Sequence, residues 1–135
     1  MDNINVRTIR IDNLATFLEL NHFSIESLTD GVYKVTRENE LPVFITCNNN
    51  TLYFEVDLGN ISKIATKDLY FQLLDLNTEI LPVSFGINNT NPDDPRLVLV
   101  ESREIGDLSN HEVLSVFDAI ELAVDKAETI LSHLI

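Results

Sequence analysis

The sequence predicts an α+β fold in which helices pack on an antiparallel sheet of about five to six strands. Several short runs alternate apolar and polar residues, as strands do when they bury one face. Other runs repeat apolar residues at three- and four-residue steps, as helices do. The chain has 135 residues, which is about the size of one domain. We therefore predict a single domain over residues 1–135, whose first ten residues or so form a strand or a flexible segment.

The first predicted elements are a short helix and a hairpin. Asp12 or Asn13 can cap the helix, and its apolar residues Leu14, Phe17 and Leu18 fall at helical spacing. Strands from Phe23 to Leu28 and from Val32 to Arg37 flank Asp30-Gly31, a dipeptide that accepts the positive φ angles of a tight turn.

Two further strands are predicted before the second helix. The third strand follows Pro42, and the turn Asn48-Asn49-Asn50 leads to the fourth. In the fourth strand the apolar residues point inward and alternate with outward Tyr53, Glu55 and Asp57. The inward residues of the two strands are Val43, Ile45, Cys47, Leu52, Phe54, Val56 and Leu58.

The second helix is predicted from Thr66 to Asn77, because Leu69, Leu73, Leu74 and Leu76 recur at helical spacing. Strands follow at Pro82 to Ile87 and Arg96 to Glu101, and the irregular segment from Asn88 to Pro95 joins them. The predicted order of elements is therefore α-β-β-β-(β)-α-β-β-α.

The last helix has the clearest start signal. Ser109-Asn110-His111-Glu112 fits a capping box. The residues expected to face the sheet are Val113, Val116, Phe117, Ile120, Ala123, Val124, Ala127, Ile130, Leu131 and Leu134. Leu114 and Leu122 lie outside this stripe, either as ordinary exposed residues or as the edge of an interface. With the outward Tyr53, they are our candidate interface residues.

The chain is strongly acidic, with a formal net charge of −13 and a pI near 4.3. Its nine basic side chains are scattered, whereas binding to DNA or RNA depends on clustered Lys and Arg. Nucleic acid and anionic membrane surfaces are therefore poor partners. The charge either keeps the protein soluble or attracts basic partners.

The compartment and membrane signals are few. Cys47 is the only cysteine, so no disulfide within the chain is expected. The first residues lack the pattern of a signal peptide, and no apolar stretch is long enough to span a membrane. We predict a cytoplasmic protein without membrane insertion.

A search for chemistry finds no catalytic, cofactor-binding or metal-binding motif. The four glycines are isolated, so they form no phosphate-binding loop. The segment with Asn89, Asn91, Asp93 and Asp94 offers oxygen ligands, but two prolines and the lack of a spaced Glu argue against a calcium site. We therefore predict no enzyme activity, no cofactor and no metal.

The order of elements resembles the fold of the type III secretion chaperones and of the YbjN proteins. The stretches Leu41-Pro42-Val43-Phe44 and Ile80-Leu81-Pro82-Val83-Ser84-Phe85-Gly86-Ile87, with the acidic last helix, resemble the bacterial YjfI-like family. The resemblance covers about residue 12 to the end. It implies an acidic, dimeric and noncatalytic protein that holds extended segments of a partner against apolar patches.

Two hypotheses about function follow. The first is a noncatalytic, chaperone-like or regulatory protein that binds a partner protein and forms a homodimer. The second is a small-molecule or anion sensor, or an enzyme, whose site is assembled from distant residues such as Arg96, Arg103 and His111.

Overall fold

Three helices pack on one face of a six-stranded antiparallel sheet in the computed structural model, which describes residues 11–106 and 108–134. The elements are α1 (Ile11–Leu20), β1 (Ser24–Thr29), β2 (Val32–Thr36), β3 (Val43–Asn48), β4 (Thr51–Asn60), α2 (Lys67–Asn77), β5 (Ser84–Asn88), β6 (Arg96–Glu104) and α3 (Asn110–Ser132). The predicted α+β class and order of elements are confirmed. The prediction for the first ten residues lies outside the described part of the chain.

The strands lie in the order β1-β2-β3-β4-β6-β5, and every neighbouring pair is antiparallel. The strand β6 lies between β4 and β5, so α2 connects two strands that are not neighbours. The strand β6 continues to Glu104, beyond its predicted end at Glu101, because residues 101–104 pair with Thr51–Phe54 of β4. The sheet edges are therefore β1 and β5.

The first hairpin turns where the sequence predicts. Thr29 lies opposite Val32, which leaves Asp30 and Gly31 as the two loop residues, and Gly31 has a φ of 75°. The Gly31 carbonyl also accepts a hydrogen bond of 2.7 Å from the backbone N–H of Cys47 on β3. This turn therefore connects three strands.

The predicted alternation in β4 is confirmed. Leu52, Phe54 and Val56 are fully buried, whereas Tyr53 and Asp57 are exposed and Glu55 is half-buried. Phe54 meets Phe117 of α3 edge to face, with ring centroids 5.9 Å apart. The inner face of the sheet and α3 thus share the main core.

The capping box of α3 is confirmed. The Glu112 N–H donates to the Ser109 hydroxyl at 3.1 Å, and the Glu112 carboxylate accepts from the Ser109 N–H at 3.2 Å. Seven residues of the helix are buried, all within the predicted stripe. Leu134 is a correction, because it lies beyond the helix end and is exposed.

The start of α1 also differs from the prediction. Asp12 and Asn13 lie inside the helix, which already includes Ile11, so neither residue caps it. Short polar residues are tolerated in a first turn, and an acidic one suits its positive end, so their presence does not mark the boundary.

The helix α2 has a core of its own beside the main one. Its buried Leu69 and Leu73 pack with Ile61 and with Leu97 of β6. Thr66 caps the helix, with its hydroxyl accepting from the Leu69 N–H at 3.1 Å. None of the helices in the described residues is long and apolar enough to cross a membrane.

Candidate interaction surfaces

The outer side of α2 exposes three large apolar side chains, which we call the α2 surface: Tyr70, Phe71 and Leu74. Phe71 is 70% exposed and Leu74 is 67% exposed. Residues three and four positions apart lie side by side on a helix, so these three form one patch. The helix therefore buries one apolar side and presents a second to solvent.

The α2 surface is nearly neutral within an acidic protein. Residues 61–78 carry Lys63, Lys67, Asp68 and Asp75, so their formal charges cancel. The whole chain carries −13. Electrostatic repulsion between two copies of the protein is therefore smaller at this surface than over the molecule as a whole.

A second apolar feature lies between α3 and the segment that follows α2. Leu81, 70% exposed, and Leu122, 64% exposed, line a groove of about 160 Å³ that is open to solvent. The remaining lining residues are Glu79, Ile80, Ala119, Ala123 and Lys126. We call this feature the Leu81–Leu122 groove. It has an apolar lining with one charged pair, Lys126 Nζ to Glu79 Oε1 at 3.9 Å.

The exposed side of α3 is acidic. Residues 110–132 contain five acidic side chains and one Lys. Four of the acidic residues lie within two helical turns of Leu122, two before it and two after it. We call them the α3 acidic surface: Asp118, Glu121, Asp125 and Glu128.

Glu40, between β2 and β3, extends this acidic surface. Its pKa is raised by partial desolvation and then by the negative charges of Glu121, Asp125 and Glu128, against the opposing effect of Arg37. These carboxylates therefore act on one another electrostatically across two elements of the fold.

Arg37 is the cation that faces this cluster from the sheet. Its guanidinium forms ion pairs with Glu121 and, at 3.7 Å, with Asp118. It also lies over the Phe23 ring, 4.6 Å from the centroid. One Arg thus ties α3 to the end of β2 and offsets only part of the acidic charge.

The three predicted interface residues do not come together. Leu122 is exposed and lines the groove. Tyr53, 37% exposed, points away from the helices on the other face of the sheet. Leu114 is half-buried and packs against the main core, because the apolar stripe of α3 is wider than its sequence spacing indicated. Of the three, only Leu122 belongs to an apolar surface with other exposed apolar residues.

The distant-site alternative is not assembled by the fold. Arg96 is the first residue of β6, whereas Arg103 lies near its other end. Arg96 pairs with Asp57 and Asp94, while Arg103 pairs with Glu101. His111 is exposed in the first turn of α3. The expected pocket around these three residues is therefore absent from the described residues, and both arginines already have carboxylate partners.

Glu101 is the buried charged residue that the strand prediction did not anticipate. It lies opposite Phe54 on the inner face and is 5% exposed. The Arg103 Nε donates to its Oε2 at 2.6 Å, and Arg103 also lies 3.6 Å from Glu112 at the start of α3. These contacts join β6 to α3.

The loop from Asn88 to Pro95 is held by contacts of its own side chains. The Asp94 carboxylate accepts hydrogen bonds from the Asn60 amide and from Arg96, and these bonds lower its pKa. Within residues 11–106 and 108–134, no three His, Cys, Asp or Glu side chains are grouped so that they could hold a metal ion.

Sequence reasoning missed Tyr70, Phe71 and Leu81 as surface residues. In α2 apolar residues occupy both sides of the helix, so the spacing predicts a helix without showing which side the sheet covers. The sequence nevertheless contained a sign of the exposed side, because the adjacent aromatic residues Tyr70 and Phe71 interrupt the leucine pattern.

The fold is that of a class of chaperone-like α+β proteins for which structures have been solved. YbjN from E. coli, a proposed transcription regulator, matches with a TM-score of 0.74 and 16% identity over 94% of this chain and 97% of that chain. A chain of the ExoU–SpcU heterodimeric complex from the type III secretion system of Pseudomonas aeruginosa matches with a TM-score of 0.68 and 17% identity over 84% and 93%. The Yersinia pestis type III secretion chaperone SycH, solved with a stable fragment of YscM2, matches with a TM-score of 0.58 and 24% identity over 88% and 94%.

The family model CesT_Tir_1 matches residues 8–134, and the chain belongs to this family. No curated protein matches the chain. The predicted type III secretion chaperone-like and YbjN-like fold is confirmed, while the narrower YjfI-like resemblance stays a prediction.

Proposed function

We propose that this protein is a noncatalytic, chaperone-like protein of the cytoplasm that binds a partner protein and acts as a homodimer. The observation that carries the proposal is the exposure of large apolar side chains on a strongly acidic molecule. Phe71, Leu74, Leu81 and Leu122 are each about two-thirds exposed or more. Clusters of exposed apolar side chains are typical of surfaces that bind other proteins.

The family and the fold support protein binding as the function. SpcU with ExoU, and SycH with a YscM2 fragment, are complexes between proteins. YbjN is a proposed transcription regulator, but a net charge of −13 repels phosphate groups and therefore argues against DNA binding by this chain.

The α2 surface is our proposed dimer interface. In a two-fold symmetric dimer the same patch meets itself, so like charges on it would repel. The α2 region is neutral and apolar, whereas α3 is acidic. Two copies therefore meet most favourably through Phe71 and Leu74.

Affinity capture from the native cell tests the proposed function. We expect the tagged chain to recover one partner protein in a stoichiometric amount, which denaturing gels and mass spectrometry would show. If the purified chain instead releases a small molecule on denaturation and recovers no protein, the sensor hypothesis replaces ours.

A further inference from the structure

We infer that the Leu81–Leu122 groove binds an apolar side chain from a basic segment of another protein. This inference rests on the proposed function and adds to it the binding surface and the chemistry of the partner.

The groove is built to receive an apolar side chain. Leu81 and Leu122 are exposed along its sides, and small or buried apolar residues such as Ala119, Ala123 and Ile80 lie between them. A volume of about 160 Å³ accommodates one apolar side chain such as Leu or Ile. An inserted Leu or Ile would shield both exposed leucines from water.

The charge of α3 argues that the occupant is a different protein and not a second copy. Asp118 and Asp125 lie one helical turn before and after Leu122, on its exposed side, and both are exposed. A second copy in the same groove would bring a second set of these carboxylates close to the first. Juxtaposed like charges oppose association at an interface, whereas opposite charges steer it.

A basic segment meets both requirements. With its apolar side chain in the groove, Lys or Arg residues at neighbouring positions would approach Asp118 and Asp125. Glu121, Glu128 and Glu40 add negative charge on the flank of α3 that faces β2 and β3, beside Asp118 and Asp125. Lys126 lines the groove but is paired with Glu79, so the two add no net charge there. The groove therefore selects partner segments that carry an apolar side chain, and the α3 acidic surface selects those that are also positively charged.

A labelled synthetic peptide of leucine and lysine, with its leucines at helical spacing, tests the inference by fluorescence anisotropy. We expect the wild-type protein to bind it and Leu122→Ser to weaken binding by at least about tenfold.

Leu81→Ser is the second variant in the groove. The matched control is Leu20→Ser, because Leu20 is an exposed leucine on α1 that does not line the groove, and this change should leave the affinity unchanged. A peptide with serine in place of leucine, and one with glutamate in place of lysine, should each bind weakly.

The inference is wrong if the serine peptide binds as tightly as the leucine peptide, since charge alone would then explain binding. It is also wrong if Leu122→Ser and Leu81→Ser bind like the wild type, or if Leu122→Ser turns a dimer into a monomer. If the wild type does not bind the peptide but affinity capture still recovers a partner protein, the groove assignment fails while the proposed function stands.

Discussion

Tyr53 shows how its local environment changes the chemistry of an outward-facing strand residue. Its phenol donates a hydrogen bond of 2.9 Å to the Glu55 carboxylate two positions along β4. Burial, this hydrogen bond and the charge of Glu55 together raise the pKa of Tyr53 from 10.0 to about 12. Since the folded-state pKa lies above the ordinary value, the neutral phenol favours folding. That contribution is complete below about pH 10 and is lost as the pH rises toward 12.

We predict that Glu55→Gln lowers the pKa of Tyr53, because the amide offers no charge against the phenolate. Difference absorbance titration of tyrosinate, with Tyr53→Phe as the reference, measures that pKa directly. Glu26→Gln, on the distant strand β1, is the control and should leave the pKa unchanged. A Tyr53 that still titrates near 12 in Glu55→Gln would assign the shift to burial alone.

Among the elements of the fold, the first hairpin is the most restricted at Gly31, where the backbone leaves no room for a side chain. Its φ of 75° favours glycine, and an added Cβ would lie 2.8 Å from the Cys47 carbonyl oxygen. This oxygen belongs to the backbone of β3, so it cannot move aside as a flexible side chain could.

We predict that Gly31→Ala destabilises the protein by about 1–3 kcal/mol. Urea unfolding would measure the loss as a lower midpoint at an unchanged slope. Gly86→Ala is the matched control, because an added Cβ there meets Val98 Cγ2 at an ordinary 3.7 Å. Equal midpoints for the wild type and Gly31→Ala would show that the β1–β2 turn tolerates the change.

How far the sequence predicts an element depends on how strongly its pattern separates one side from the other. In α3 the capping box sets the start, and a polar side opposes a continuous apolar stripe, so the buried face could be predicted. In α2 apolar residues lie on both sides, so the spacing of Leu69, Leu73 and Leu74 predicts a helix but does not show that Leu74 is exposed. The Leu81–Leu122 groove joins residues from two separate segments, and only the tertiary fold brings them together.

The whole molecule combines a large negative charge with two separate apolar surfaces. The α2 surface is neutral and suits a second copy, while the groove lies beside carboxylates and suits a basic partner. The charge of −13 hinders association in general, so contact between two copies requires an apolar interface with little net charge.

Substitution of Phe71 tests the proposed interface at this scale. In a symmetric dimer Phe71→Ser removes two buried aromatic side chains at once, each worth about 1.5–3 kcal/mol. A loss of about 3 kcal/mol or more weakens association over a hundredfold. Leu20→Ser, which changes an exposed leucine outside the interface, is the control.

The most direct test of our account is the mass of the protein in solution, measured by light scattering at high micromolar concentration. We predict twice 15.3 kDa for the wild type and for Leu20→Ser, and 15.3 kDa for Phe71→Ser. A wild-type mass of 15.3 kDa would contradict the dimer, and a Phe71→Ser protein that remains dimeric would contradict the α2 surface as its interface.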